Sequence, residues 1–326
     1  MAAYTGIQGQ NILIVSSDPA NPTEGQIWYN TTSNLLKGYQ IANVNSWASG
    51  GNLNTARVNS AGTGAQTAGL LFGGSAPPYT NASESYNGTS WTSTPSLNTA
   101  RGILASGTAG TQTATVAFGG ITTTASSAAT ESWNGSSWTT VNSMNTARYG
   151  LGGAGTQTAA VAFGGAPPSA GVTTTELYNG TSWTSNPTGL GTARYDMGFC
   201  GTQTAALGFG GYSNGAVANT ELFNGSTWTG GPSMPITKYG VRGFGTQTAA
   251  ISAGGAPPNN GITNVISWNG SSWTNTTALT TARTGTGGIG TQTAGLVAGG
   301  ISGPATITTT EEWTGQGLAT RTITTS

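Results

Sequence analysis

Short runs of small apolar residues, each closed by a pair of glycines, recur along the chain. Residues 159–165 read A-A-V-A-F-G-G, and the matching runs close at Gly73-Gly74, Gly119-Gly120, Gly210-Gly211, Gly254-Gly255 and Gly299-Gly300. A continuous apolar stretch of this length, bounded by turn residues, suits a strand covered on both faces. One strand precedes it (Y-G-L-G-G-A-G, 149–155) and two follow (T-T-T-E-L-Y, 173–178, and S-W-T-S, 182–185). Asn-Gly joins the last two, and it predicts a tight hairpin with two positive-φ residues. No segment carries a 3.6-residue apolar period, which excludes a helical solenoid. Four short strands per copy is the spacing of a propeller blade, and glycine pairs suit strands that crowd near a central channel.

The copies align on T-A-R triplets ending at Arg57, Arg101, Arg148, Arg194 and Arg283, with Thr-Lys ending at Lys238 in the fifth copy. G-T-Q-T-A or a near variant follows each, placing Gln66, Gln112, Gln157, Gln203, Gln247 and Gln292. Next comes an acid, an aromatic, Asn-Gly and a tryptophan, as in E-S-Y-N-G-T-S-W ending at Trp91; the frame also yields Trp138, Trp183, Trp228 and Trp273. The sixth copy reaches E-E-W-T-G at 311–315 and finds no further tryptophan. Trp47 stands the expected distance before Arg57, so an N-terminal strand completes the last blade and removes the exposed edges of a linear array. The expectation is an all-β, six-bladed β-propeller of four-stranded blades, closed by pairing of the N-terminal strand with the last blade. Residues 1–36 form an attachment segment with a short β-hairpin module, and 37–326 form the propeller. Its repeats start near 57, 101, 148, 194, 238 and 283, and 37–50 complete the last blade.

Composition narrows the function. The 326 residues carry nine basic and nine acidic side chains, a net charge of zero, and no histidine. Nothing here supplies the electrostatic footprint of a nucleic-acid binder. The single cysteine, Cys200, cannot form an internal disulfide, and the usual zinc and copper ligands are missing. No cofactor is expected. The N-terminus shows neither a signal peptide nor a long apolar span, so synthesis in the cytoplasm without membrane insertion is expected. Disorder is disfavoured by 10 Trp, 10 Tyr and 7 Phe.

The Gly-Gly pair, the following aromatic and the tryptophan resemble kelch-type repeats over residues 47–315. Ahead of them, P-T-E-G-Q-I-W-Y-N-T-T-S-N-L-L-K-G-Y (22–39) resembles a module of virion structural and tail-fibre proteins of tailed bacteriophages, including marine phages, where it often leads into G-T-Q-T-A repeats. The resemblance implies a structural component of a phage particle.

Six of the nine basic residues and five of the nine acids occupy equivalent repeat positions. A ring of arginines could bind anionic sugars or phosphates. The favoured reading is structural ion pairing within blades: Arg57 with Glu84, Arg101 with Glu131, Arg148 with Glu176, Arg194 with Glu221 and Arg283 with Glu311. The fifth copy supports pairing, since Lys238 replaces arginine where Ile266 replaces glutamate. Asn-Gly-Ser/Thr at Asn87, Asn134, Asn179, Asn224 and Asn269 is read as turn chemistry, not as glycosylation sequons. The repeat tryptophans are read as packing wedges, with Trp28 and Trp313 outside the series. Recognition is expected where repeats differ, in the loops after the glycine pairs, which place Tyr79, Tyr212, Asn214, Asn259 and Asn260 on one face. Asp18, Glu24, Asp196 and Glu312 show no catalytic pairing, Asp196 with Arg242 or Tyr195 makes at most a local polar cluster, and no catalytic or metal residue is assigned.

The expected function is that of a non-enzymatic virion protein displaying a rigid propeller. It would serve in a tail fibre, in receptor binding or in another surface-exposed attachment role. Its partners would be other virion proteins through residues 1–36 and a host surface glycan or protein. The alternatives are a capsid or tail decoration or connector protein with purely structural contacts, and a glycan-active enzyme.

Overall fold

The computed structural model describes residues 12–22, 25–42, 45–168, 170–257 and 261–322. These residues form strands and turns without a helix, and the chain divides into two compact units, Ser46–Thr314 and a second made of both chain ends (Met1–Asn45 with Gly315–Ser326).

Ser46–Thr314 builds six four-stranded antiparallel sheets in a propeller-like arrangement. The third sheet is typical: Gly152–Gly155, Ala160–Phe163, Thr175–Tyr178 and Trp183–Asn186. Its second strand is wholly buried, as the apolar run A-V-A-F requires, whereas the outer strand is open to solvent after its tryptophan. In the sixth sheet Gly287–Gly290, Ala294–Ala298 and Thr310–Thr314 take their outer strand from Ser46–Gly50, with Trp47 opposite Trp313. That register places Trp313 in the slot held by Tyr86, Trp133, Tyr178, Phe223 and Trp268 elsewhere, so it belongs to the repeat series.

The first strands of successive sheets lie against one another, and Gly287–Gly290 of the sixth lies against Ala61–Ala65 of the first. Just before each first strand, one residue with φ between 50° and 64° donates its backbone N–H to the equivalent residue of the preceding repeat. The bonds run Asn59 to Gly285, Gly285 to Gly240, Gly240 to Asp196, Asp196 to Gly150, Gly150 to Ile103 and Ile103 to Asn59, at 2.6–2.9 Å. Glycine suits such a position, and Asn and Asp tolerate it better than most residues; Ile103 adopts it against steric preference.

Hydrophobic clusters lie between sheets. Phe72, Phe118, Phe163 and Phe209 each meet the outer-strand tryptophan of the next sheet, Trp138, Trp183, Trp228 and Trp273, with ring centroids 4.6–5.0 Å apart. The indole N–H of each of these tryptophans donates to a hydroxyl of the preceding sheet: Ser83, Thr130, Thr175 and Thr220. The conserved spacing of the glutamines has a matching role. Gln112 Nε2 reaches back to the carbonyls of Gly69 (3.1 Å) and Tyr86 (2.7 Å), and Gln66 reaches those of Gly295 (3.0 Å) and Trp313 (2.9 Å) in the sixth sheet. Each glutamine thereby satisfies carbonyls that a sheet end would otherwise leave bare.

Two expectations need correction. Asn-Gly does not make a two-residue turn with two positive φ values: the loop has four residues, Tyr178 still pairs with Trp183, and of Asn179 and Gly180 only Gly180 has positive φ (91°). The asparagine side chain instead accepts the N–H groups of Thr181 (2.9 Å) and Ser182 (2.8 Å), an Asx turn. Residues 37–326 are also not one unit. Leu35–Ala42 pairs with Gly317–Thr322, so the strand that completes the sixth sheet is confined to Ser46–Gly50 and the chain leaves that sheet at Thr314.

The end unit is a four-stranded sheet in which Leu13–Val15 runs parallel to Ile27–Asn30, followed by Leu35–Ala42 and Gly317–Thr322. Asp18 organises it: Oδ1 accepts from buried Trp28 (3.0 Å) and from Asn30 (2.7 Å), and Oδ2 from Lys37 (2.7 Å). These donors hold the Asp18 carboxyl down at about 2, the Lys37 contact first. Among the described residues, the large exposed hydrophobics are Ile12, Leu13, Ile14 and Leu35, all in this unit.

Candidate functional site

The repeated charges are buried and paired. Nη atoms of Arg57, Arg101, Arg148 and Arg283 lie 2.6, 3.0, 3.1 and 2.7 Å from Oε1 of Glu84, Glu131, Glu176 and Glu311, and Arg194 bonds Glu221 in the same way. All five arginine side chains are fully buried. Burial lowers each guanidinium pKa and the neighbouring carboxylate opposes that shift; Arg148 falls to about 10. Enclosed in this way, they do not present a ring of cations to an external anion.

The second glutamate oxygen has a job of its own. It accepts a backbone N–H three residues before each arginine: Asn54 (2.8 Å), Asn98 (2.6 Å), Asn145 (2.7 Å), Gly191 (2.6 Å) and Thr280 (2.7 Å). In the fifth repeat that position is Pro235, which has no N–H to give. Pro235, Lys238 and Ile266 are therefore one coordinated change. Lys238 stays fully buried, donates to Asn264 Oδ1 at 3.2 Å, and is driven by burial to a pKa of about 7.

Of the loop residues, Tyr212 is half-buried, Asn214 is exposed with φ 56°, and Tyr79 is half-buried against Gly102; Asn259 and Asn260 lie outside the described residues. Tyr212 does not stand alone. Its ring lies 5.4 Å from both Tyr195 and Tyr239, and Tyr195 lies 6.0 Å from Tyr149. Tyr79 is close enough to add to the forces, burial first, that raise the Tyr149 pKa. Tyr149, Tyr195 and Tyr239 directly follow the buried basic residue of repeats three, four and five, where the other copies have Val58, Gly102 and Thr284. That aromatic substitution was the available signal in the sequence. Ala170, Gly171, Ala193, Tyr195, Tyr212, Ser213 and Asn214 line a cleft of about 210 Å³ beside the row.

Asp196 and Arg242 sense each other's charge without forming a direct ion pair, and Arg242 stacks over Phe199 at 5.8 Å. Burial raises the Asp196 carboxyl, and Arg242 opposes that rise. Cys200 is buried and its thiol is pushed up by desolvation. Among the described residues, no group of three His, Cys, Asp or Glu side chains is placed to hold a metal ion.

No protein-family model matches this chain, and no similar curated protein was found.

Proposed function

We propose that the chain is a non-enzymatic structural protein of a tailed-bacteriophage particle, in which Ser46–Thr314 is a closed six-bladed, kelch-like propeller and the end unit fastens it to other virion proteins. Closure is supported by the six backbone bonds that begin and end at Asn59, by the Gln66 latch from the first sheet to the sixth, and by the outer strand Ser46–Gly50. A kelch-like, phage-type identity rests on the residue resemblances at 22–39 and 47–315.

The observation that carries the functional reading is the contrast between the units. The repeat unit turns its large hydrophobics inward and offers a neutral, hydroxyl-rich surface. The end unit exposes Ile12, Leu13, Ile14 and Leu35, and on one face of its sheet Ile12 and Ile14 line an apolar cleft with Tyr29 and Leu36, a surface suited to a protein contact. A displayed module needs both properties, an inert scaffold and a sticky base. The expected role is a tail-fibre or surface-exposed attachment component.

Quantitative mass spectrometry of gradient-purified particles tests this. The chain should co-purify at fixed stoichiometry, and Ile14→Asp combined with Leu35→Asp should abolish incorporation while leaving the melting of the repeat unit unchanged. Absence from particles, or incorporation indifferent to those substitutions, would contradict the reading.

A further inference from the structure

We infer that the tyrosine row Tyr149, Tyr195, Tyr212 and Tyr239, with Ser213 and Asn214 at its rim, is a binding site for a neutral oligosaccharide. The inference rests on the reading of the repeat unit as a displayed module, and it names what that module would grip.

Four tyrosines in unbroken contact are not needed for packing here. The repeats without them close the same backbone circuit with Val58, Gly102 and Thr284 in the place of Tyr149, Tyr195 and Tyr239, and the place of Tyr212 is held by Ser75, Ile121, Ala166, Ala256 and Ile301 in the other copies, so the aromatic residues are an addition to the scaffold. Their rings are half-buried and meet at 5.4–6.0 Å in tilted or edge-on pairs, which fixes them against each other while leaving ring surface open. Elsewhere tyrosine hydroxyls are used internally: Tyr178 donates to Gly180 O, Tyr86 to Glu312 and Tyr29 to Asn34. No hydroxyl of the row makes a hydrogen bond to a described residue, so these groups are free for a ligand.

A pyranose ring suits such a row. Its C–H faces stack on electron-rich rings, and its hydroxyls need donors and acceptors of the kind that tyrosine, serine and asparagine supply. Asn214 stands exposed at the loop tip in a left-handed conformation, with its amide clear of the scaffold. Charge selects a neutral sugar over an acidic one. The acid nearest the row is Asp196, beside Tyr195, and its Oδ1 is buried without a hydrogen-bond partner; Arg242, which could answer it, is itself buried under Phe199. An anionic ligand would find no accessible cation. A protein partner fits less well, because a stable interface buries about 800 Å² per side, far beyond this cleft, and the exposed hydrophobics lie in the other unit.

The test uses the full chain on an array of neutral glucans, mannans and galactans with uronate polymers alongside, followed by calorimetry on the best neutral oligosaccharide. Sub-millimolar binding to a neutral glycan is expected, weakened at least tenfold by Tyr195→Ala and by Tyr212→Ala but only a few-fold by Tyr212→Phe, which keeps the ring. Asn214→Gly, which keeps the left-handed backbone at an exposed tip and removes the amide, should weaken binding with no loss of melting temperature and so covers the case in which an alanine variant misfolds. Binding only to uronates, binding unchanged by all four substitutions, or no binding to any neutral glycan overturns the inference. The particle assay reads where the chain resides whatever it binds, so a protein found in virions but blind to sugars would fail here alone.

Discussion

Arg148 donates through Nη1 to the carbonyls of Gly164 (2.9 Å) and Thr174 (2.7 Å), and through Nη2 to Glu176 (3.1 Å), leaving only Nε without a partner. A buried charge held this way is costly to orphan. Arg148→Ala should destabilise the repeat unit by about 3–5 kcal/mol in denaturant unfolding, whereas Arg148→Met with Glu176→Leu should cost much less, because no unpaired charge remains. The fifth repeat has made a related exchange and stopped halfway, keeping Lys238 without a carboxylate. Its ordinary pKa of 10.5 drops to about 7 on folding, so between those values the unfolded chain binds more protons. Stability from this residue is thus full above 10.5 and is lost as pH falls toward 7, with a slope of up to ~1.4 kcal/mol per pH unit. Unfolding free energy measured from pH 7 to 9 should rise in the native protein and rise less in Lys238→Met, which should also melt higher at pH 7. Equal slopes in the two proteins would count against a buried, depressed lysine. The pairing of the charged positions was legible because both partners vary together across copies. Pro235 was not, since what it removes is a backbone N–H, which the residue alphabet does not display.

Each strand set was legible as an element, because its apolar run, glycine pair and tryptophan repeat in a fixed order. The contacts that join elements were harder to read. Gln112 bonds backbone carbonyls of the preceding sheet, and a carbonyl carries no residue identity to match against the glutamine. The hairpin loop shows the same limit: Asn-Gly suggested a two-residue turn, yet the side chain of Asn179 organises four residues. Comparing equivalent elements also exposes a defect in the fourth sheet. Asn54, Asn98 and Asn145 send their side-chain amides to the outer-strand carbonyls of Trp91, Trp138 and Trp183, but Gly191 sends nothing, and a cleft of about 310 Å³ opens beside Glu221 and Trp228. A Cβ at Gly191 would meet only the Glu221 carboxylate, at 3.3 Å, and its φ is not in the left-handed region. Gly191→Asn should therefore stabilise the protein by about 1 kcal/mol, through the restored hydrogen bond and reduced unfolded-state freedom. A lower melting temperature would show that the fourth sheet cannot adopt the geometry of the first three.

At the scale of the whole molecule, the division into units was only half visible. Trp47 disclosed that an N-terminal strand joins the sixth repeat, because it reproduced a tryptophan spacing. The pairing of Leu35–Ala42 with Gly317–Thr322 had no such marker, since L-A-T-R-T carries neither a repeat residue nor a clear alternation. The outcome is that both ends of the chain leave the repeat unit from its sixth sheet and pair with each other in a separate unit. That account depends on Ser46–Gly50 completing the sheet within the same chain. Ser46 and Thr314 are exposed, directly paired and at the two exits from the repeat unit. Cα atoms of paired antiparallel residues lie within the span a disulfide accepts. The most direct measurement is therefore the oxidation of Ser46→Cys/Thr314→Cys, read by non-reducing gel and thermal melting. The account predicts an intramolecular crosslink in the monomer and a higher melting temperature. A folded monomer that fails to crosslink, or one that crosslinks only between chains, would contradict closure by the N-terminal strand.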